Sequence, residues 1–479
     1  MDADVIIIGG GASGLCAAAA LEAAGLRCLL LEGRDCLGGR VRGSASGIDL
    51  GAQWIHGDRN TPPNPLLELA RSAHLPLRAF DYENAATYDW RGQKTQDAEV
   101  DRWEGAWRRV ERALPARTEP TVAARIEAVL LEQRLAPALE NGVRHCAATF
   151  IEGEWGADCG WLCGRGYDEG AGLLGKDHVL PAGLHSAIPA LASALKSTRV
   201  LLGRAAHSVE RGAGRVRVTA AGGGAFTARA ALVTVPLGVL QQSLGVRSAL
   251  LPRVEGCAAL RFTPPLPAPH AAAIASLGMG VLNKYILEWD AGVQLGALPA
   301  GVEMLEYVDA PQGARHFPEL LVLRHHSPQH NALMAFASGS RALALGALSD
   351  EAVLAALLAQ LQGMLGGGLP PPRAFLRTRW EADPHACGSY SFLPPGVSPA
   401  QRDALAQGVE GVLWFAGEHA CGDHPSTVHG AMLSGRRAAA SIAAALRCAD
   451  CAGDGASAGA GGGAGAGAGA AQAGGAVRP

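Results

Sequence analysis

The opening stretch constrains this chain more than any other. In DVIIIGGGASGLCAAAALEAAG the β-branched residues Val5, Ile6, Ile7 and Ile8 favour an extended strand. A glycine cluster follows, then an alanine-rich run that favours a helix and stops at Gly25. Gly9, Gly11 and Gly14 have the spacing of a dinucleotide-binding turn. The first glycine permits the tight turn, the second lets a pyrophosphate approach the backbone, and the third lets helix and strand pack closely. The helix start then turns its positive dipole end toward the phosphates. RCLLLEG reads as a second strand, and Glu32 closes it eighteen residues after Gly14, where a carboxylate can accept ribose hydroxyls. The stretch predicts the first β-α-β unit of an α/β domain.

At 479 residues the chain is too long for one simple core, so two domains are expected. The formal net charge of −3 gives no footprint for nucleic acid. Only Lys94, Lys176, Lys196 and Lys284 are lysines among 41 basic residues, so a lysine inside an apolar run calls for a reason. The 11 cysteines show no framework of spacings and read as free thiols in a reducing compartment. No basic or apolar leader precedes the first strand, and the uncharged run 230–246 is broken by Pro236, Gly238, Gln241 and Gln242. A cytoplasmic protein without a membrane span is expected.

Residues 76–175 carry tryptophans, arginines and helical stretches, whereas VRVTAAGGGAFTARAALVTVP reads as a β-meander ending in a buried strand. GVLWFAGEH gives a late strand and GAMLSGRRAAASIAAAL a closing helix. Residues 448–479, rich in Gly and Ala, cannot bury enough side chain to offset ordering entropy and are expected to be disordered. Cys448 and Cys451 at the start of that tail read as a solvent-facing helix end. Past Glu32 the chain continues to Gly38-Gly39-Arg40, a second glycine pair with a cation. That combination favours FAD over NAD.

LEGRDCLGGR, DLGAQWIHG, LVTVPLGVL, NKYILEW, WEADPHACGSYSFLPPG and FAGEHACGDHPSTVHGAMLSG occur in this order. Together they make the chain resemble the flavin-dependent amine oxidase family, and within it most closely the polyamine and spermine oxidases. The resemblance implies a discontinuous Rossmann-like FAD-binding domain, residues 1–75, 176–265 and 380–447. It would be interleaved with an α+β substrate-binding domain, residues 76–175 and 266–379, with a mixed sheet flanked by helices. By motif match Glu32 would hold the adenosine ribose, Arg34 and Arg40 would lie along the cofactor, and Gln53 and Trp54 at the flavin. Ala206 stands where the family usually has a valine that meets the adenine through its backbone. Glu418 would bind the ribityl or phosphate region, and Thr427 and Val428 would approach the flavin ring. Trp380 would pack near it, and also reads as a plain core tryptophan.

The resemblance further implies hydride transfer from a carbon beside an amine nitrogen to flavin N5, then imine hydrolysis and reoxidation by O2 with release of hydrogen peroxide. Lys284 stands among large apolar neighbours, where burial of an ammonium is costly. The matching family lysine holds a water against N5; a snorkelling edge-strand lysine is the plainer reading. Tyr390 matches the aromatic wall of the amine site, and also reads as a core tyrosine. Ser389 precedes it where covalent relatives have cysteine, so noncovalent FAD is expected, with Cys387 close by. Thr427 takes the second wall position, which implies an open tunnel for a polyamine. His56 matches a pocket histidine, and equally reads as a turn histidine. Asp58, Glu152 and Asp168 are acidic candidates for the tunnel mouth that the sequence does not place.

Three alternatives stand beside this reading. The lysine-specific histone demethylases share GSYS and the GEH–TVHGA pattern, but carry an extra helical domain and a long helical insertion not seen here. An L-amino-acid oxidase would need an arginine clamp. A flavin-binding scaffold without turnover is compatible with the cofactor motifs alone. GEHACGDHPSTVH, residues 417–429, has the composition of a zinc site. Between a strand and a helix, it reads better as the second half of the flavin site, with no metal.

Overall fold

The computed structural model describes residues 1–458, apart from 168–172, 213, 247, 249, 297, 312–315 and 368. Val5–Ile8 is the central strand of a five-stranded parallel sheet. The order is Leu413–Phe415, Ala230–Val233, Val5–Ile8, Cys28–Leu31 and Arg199–Leu201. The first four are buried along their whole length, as expected of parallel strands covered on both faces. Side chains alternate between the two layers. Val5 and Ile7 join Leu15, Leu21 and Ile442 of the helical layer, while Ile6 and Ile8 join Val209, Val216 and Val218 of a β-meander. Each such side chain contributes roughly 1.5–3 kcal/mol by leaving water.

The helix Ala12–Ala23 lies along the closing helix Val428–Ala458. Their approach depends on Gly435, where a β-carbon would fall 2.2 Å from the carbonyl oxygen of Ser13. The closing helix passes the expected boundary at 448. Arg229 donates to the carbonyl of Leu446 at 3.0 Å and pairs with Asp450, which fastens the turns beyond it. Cys448 and Cys451 are exposed. The expectation of disorder for 459–479 lies outside the described residues.

The second sheet has six strands, ordered Ala374–Arg377, Leu282–Trp289, Asn331–Ser338, Glu319–Val322, Met304–Val308 and Ala85–Asp89. All neighbours are antiparallel except the last pair. A helical lobe flanks it, with Asp97–Ala113, Val122–Gln133, Pro137–Ala147 and a π-turn at Ala148–Gly153 around Trp103, Trp107 and Trp155. Among the described residues no helix is long and apolar enough to cross a membrane.

Candidate active site

Gly9 has φ +113°, and a β-carbon at Gly14 would fall 2.0 Å from the Gly9 carbonyl, so neither position accepts a side chain. A β-carbon at Gly11 would meet only the Gly38 carbonyl, at 3.9 Å. The space before the helix is thus open where a ligand needs it. The helix Ala12–Ala23 has no side-chain cap and no acidic residue in its first turn. Ser13 Oγ is buried there without a hydrogen-bond partner among the described residues. Donors left without acceptors at a helix start fit a pyrophosphate. Glu32 accepts the amides of Gly10 at 2.6 Å and Arg34 at 2.8 Å, which fixes its carboxylate at the strand end beside the turn. Thr234, which the motif reading missed, donates to the carbonyls of Ile8 and Gly9 at 3.0 Å each.

The late segment closes on this turn from the other side. Arg40 donates to the Ser389 carbonyl at 2.7 Å and to Glu418 at 2.9 Å, while Arg34 pairs with Asp383 at 2.7 Å. Glu418 also accepts the Ser391 hydroxyl at 2.5 Å and the Ser426 amide at 3.1 Å. Burial alone would raise its pKa, but Arg40 foremost, with Arg402 and Ser391, holds it at about 2. Arg402 is fully buried and donates to Ser391 Oγ at 2.7 Å. Ser391 and Arg402 carry no sequence signal of this role.

Thr427 caps the closing helix, accepting the Gly430 amide at 3.0 Å and donating to the His424 carbonyl at 2.9 Å; Val428 is that helix's first residue. His419 turns back against Gly417 and is held neutral by burial, its pKa about 4. The His424 and His429 rings pack 4.7 Å apart. Among the described residues no three His, Cys, Asp or Glu side chains form a metal-binding group.

Lys284 is 2% exposed in the strand Leu282–Trp289. It donates to the Asp49 carbonyl at 2.9 Å and to Gln53 Oε1 at 2.8 Å. Burial lowers its pKa to about 8. An ammonium has three donors, so these two bonds aim the group and leave one N–H. Trp54 lies 5.9 Å from the Phe336 ring, and its buried indole N–H has no partner among the described residues. The Trp380 ring N–H donates to the Leu50 carbonyl at 3.3 Å, and its backbone amide to Asn283.

Tyr390 donates to the Gly153 carbonyl at 2.9 Å, which ties the wall position to the helical lobe; burial pushes its phenol well above the usual range. His56 meets Asp177 at 2.7 Å, and Asp177 also accepts the Tyr82 hydroxyl at 2.9 Å and the Gly57 amide at 3.0 Å. Asp177 and Tyr82 lie far from His56 in sequence and were missed. Ala206 is buried in the meander's core, paired with Ala220. Cys387 meets Cys257, Sγ to Sγ at 3.4 Å. Of the acidic candidates, Asp58 accepts the Lys176 amide and Glu152 the Cys159 amide, and Asp168 lies outside the described residues.

The sheet register adds a feature that the sequence did not reveal. Lys284 stands opposite Phe336, Phe336 opposite Glu319, Glu319 opposite Glu306, and Glu306 opposite Thr87. Directly opposed residues share a sheet face, so these five form one row. With strands about 4.8 Å apart, the backbones of Glu319 and Glu306 stand roughly 10 and 14 Å from that of the lysine. Glu306 accepts the Thr87 hydroxyl at 2.6 Å. Glu319 has no ion-pair partner among the described residues, and burial with nearby Glu306 raises its pKa to about 8. A β-carbon at Gly153, whose carbonyl holds Tyr390, would lie 3.6 Å from Glu319 Oε2.

A parallel sheet with an open glycine turn, joined to a second sheet that presents a buried lysine, defines a dinucleotide-binding protein with a second domain set against the cofactor turn. Comparison with known proteins makes the class specific. Residues 12–443 match the model of the flavin containing amine oxidoreductases, and the chain belongs to that family, with FAD as its cofactor. Polyamine oxidase 4 of Oryza sativa subsp. japonica is 31% identical, over 91% of this chain and 87% of that protein. Lysine-specific histone demethylase 2 of Homo sapiens is 29% identical, over 92% of this chain and 53% of its own length. A putrescine oxidase structure bound to putrescine superposes with TM-score 0.72 at 20% identity, over 93% of this chain and 99% of that one, a likeness of fold.

Proposed function

We propose that this chain oxidises polyamines (spermine, spermidine or their acetylated forms), with imine hydrolysis and release of hydrogen peroxide. Noncovalent FAD would supply the acceptor for the hydride equivalent and the route for its passage to O2. The observation that carries the substrate class is the row on the second sheet. Lys284 and Glu319, whose carboxyl has no ion-pair partner among the described residues, share one face, with Glu306 beyond. A chain of ammonium groups would bring Glu319 a cation beyond the nearby Arg341, and its binding would draw that carboxyl back to the ionised form.

The residues take distinct parts in this reading. Ser13, Glu32, Arg34 and Arg40 hold the dinucleotide, and Glu418 keeps Arg40 in place. Lys284, aimed by Asp49 and Gln53, would hold a water beside the bound flavin. Tyr390 walls the amine, and its bond to Gly153 sets the ring's angle. His56, oriented by Asp177, takes a proton from a substrate nitrogen so that a neutral amine reaches the oxidised carbon.

The test is anaerobic mixing of the purified yellow protein with spermine, spermidine, their acetylated forms and a methylated histone-tail peptide. Bleaching of the flavin by a polyamine, with peroxide formed on admitting air, is the expected result. Bleaching by the peptide alone would transfer the activity to the demethylase class, and bleaching by no amine would leave only a flavin-binding scaffold.

A further inference from the structure

Cys257 and Cys387 take no part in the chemistry above, yet they are the two cysteines whose thiols meet. Their sulfurs are 3.4 Å apart across 130 residues of chain. The segments that carry them are joined by a backbone bond from the Ala258 amide to the Pro384 carbonyl at 3.0 Å. Cys387 has φ +53°, in the left-handed region that residues with a side chain seldom occupy. Its side chain packs with Val239 and Val254, while Cys257 is partly exposed. One thiol is therefore reachable from solvent and the other waits behind it.

We propose that Cys257 and Cys387 form a reversible disulfide when the protein meets hydrogen peroxide. The Cys257 thiolate attacks one peroxide oxygen, the O–O bond breaks, and the departing hydroxide takes up the proton that the Cys257 thiol gave up, leaving a Cys257 sulfenic acid and water. Cys387 then attacks the Cys257 sulfur and expels hydroxide, which takes up the Cys387 proton to leave as water. Two thiols and one peroxide become one disulfide and two waters. The hydrogen bond from Cys387 and the nearby Arg253 lower the Cys257 pKa, against the effect of burial, which favours Cys257 as the attacking thiol.

The sulfurs must close by about 1.4 Å to reach bonding distance, and the surroundings decide which one moves. Cys387 is pinned, since its amide bonds the Asp383 carbonyl at 2.9 Å and the next two amides bond Trp380 and Gly280 at 2.8 Å each. A β-carbon at Gly238 would lie 2.2 Å from the Cys387 carbonyl, so there is no slack on that side. The Cys257 amide makes only a long bond to Val254, at 3.4 Å. Cys257 moves, and the turn leading to Ser389 and Tyr390 stays in place.

The experiment exposes the folded holoprotein to added hydrogen peroxide and maps its peptides without reductant. The expected product is a 257–387 cross-link that dithiothreitol reverses and that is missing from both Cys257→Ser and Cys387→Ser, with the flavin absorption spectrum unchanged and amine turnover within about twofold of the reduced protein. No cross-link in wild type, or conversion of Cys257 to sulfinic acid without one, overturns the pairing. A cross-link accompanied by a shifted flavin spectrum or a tenfold loss of turnover overturns the assignment of Cys257 as the moving partner. The cross-link and the spectrum are read without any amine, so they stand or fall apart from the substrate reading.

Discussion

Replacing Lys284 by methionine separates the cost of the buried cation from its use. Burial lowers the lysine from 10.5 to about 8, a shift equivalent to about 3 kcal/mol. Between those values the unfolded chain binds the proton and the folded chain does not, so this group makes stability rise with pH across that window. Below pH 8 both states are protonated and the full cost is present. From pH 7 to 9.5 the wild type should gain about 2 kcal/mol from this group. Methionine removes that dependence, but leaves the Asp49 carbonyl and Gln53 Oε1 without their donor, at about 1–3 kcal/mol each. At pH 7 the two effects oppose, so Lys284→Met should unfold within about 2 kcal/mol of wild type. Amine oxidation should fall by about 10²-fold or more. Urea unfolding of both holoproteins at pH 7 and 9.5, with steady-state turnover, tests this. A variant whose stability climbs with pH as steeply as wild type, or that turns over at the wild-type rate, refutes the reasoning.

Glu418→Gln should lose roughly 3–5 kcal/mol, because Arg40 and Arg402 are left facing a neutral amide. Glu418 has a depressed pKa, so its contribution is present above 4.5 and lost as pH falls through about 2; the variant's acid unfolding should lack that part, and unchanged unfolding together with retained flavin on gel filtration would count against the network. Gly14→Ala should fail to fold because its β-carbon meets the Gly9 carbonyl at 2.0 Å, while Gly11→Ala should fold normally and retain less flavin; circular dichroism and the flavin absorbance ratio separate them, and equal behaviour would contradict the open-cradle argument. Glu319→Gln should raise KM for spermine about tenfold and leave a monoamine's KM unchanged. In wild type, spermine KM should fall as pH rises toward about 8, where Glu319 ionises, and a profile identical in the variant would remove Glu319 from substrate binding.

What the sequence determined by itself is local. The strand and turn around Gly9, Gly11 and Gly14 follow from β-branched residues, glycine spacing and a helix start within one short stretch, where neighbours in sequence are neighbours in space. Lys284 stood out because lysine is rare in this chain and its neighbours are apolar. The helix end near 448 was misjudged from composition, since Arg229, far upstream, fastens the turns that carry Asp450. The tertiary structure decided every partnership that fixes a side chain's direction. Lys284 meets Gln53 across 231 residues, Arg40 meets Glu418 across 378, and His56 meets Asp177 across 121. Strand register, set by which faces can be buried together, put Glu319 in the row of Lys284. A carboxyl gains that meaning only from what stands opposite it, and no spacing along the chain encodes this.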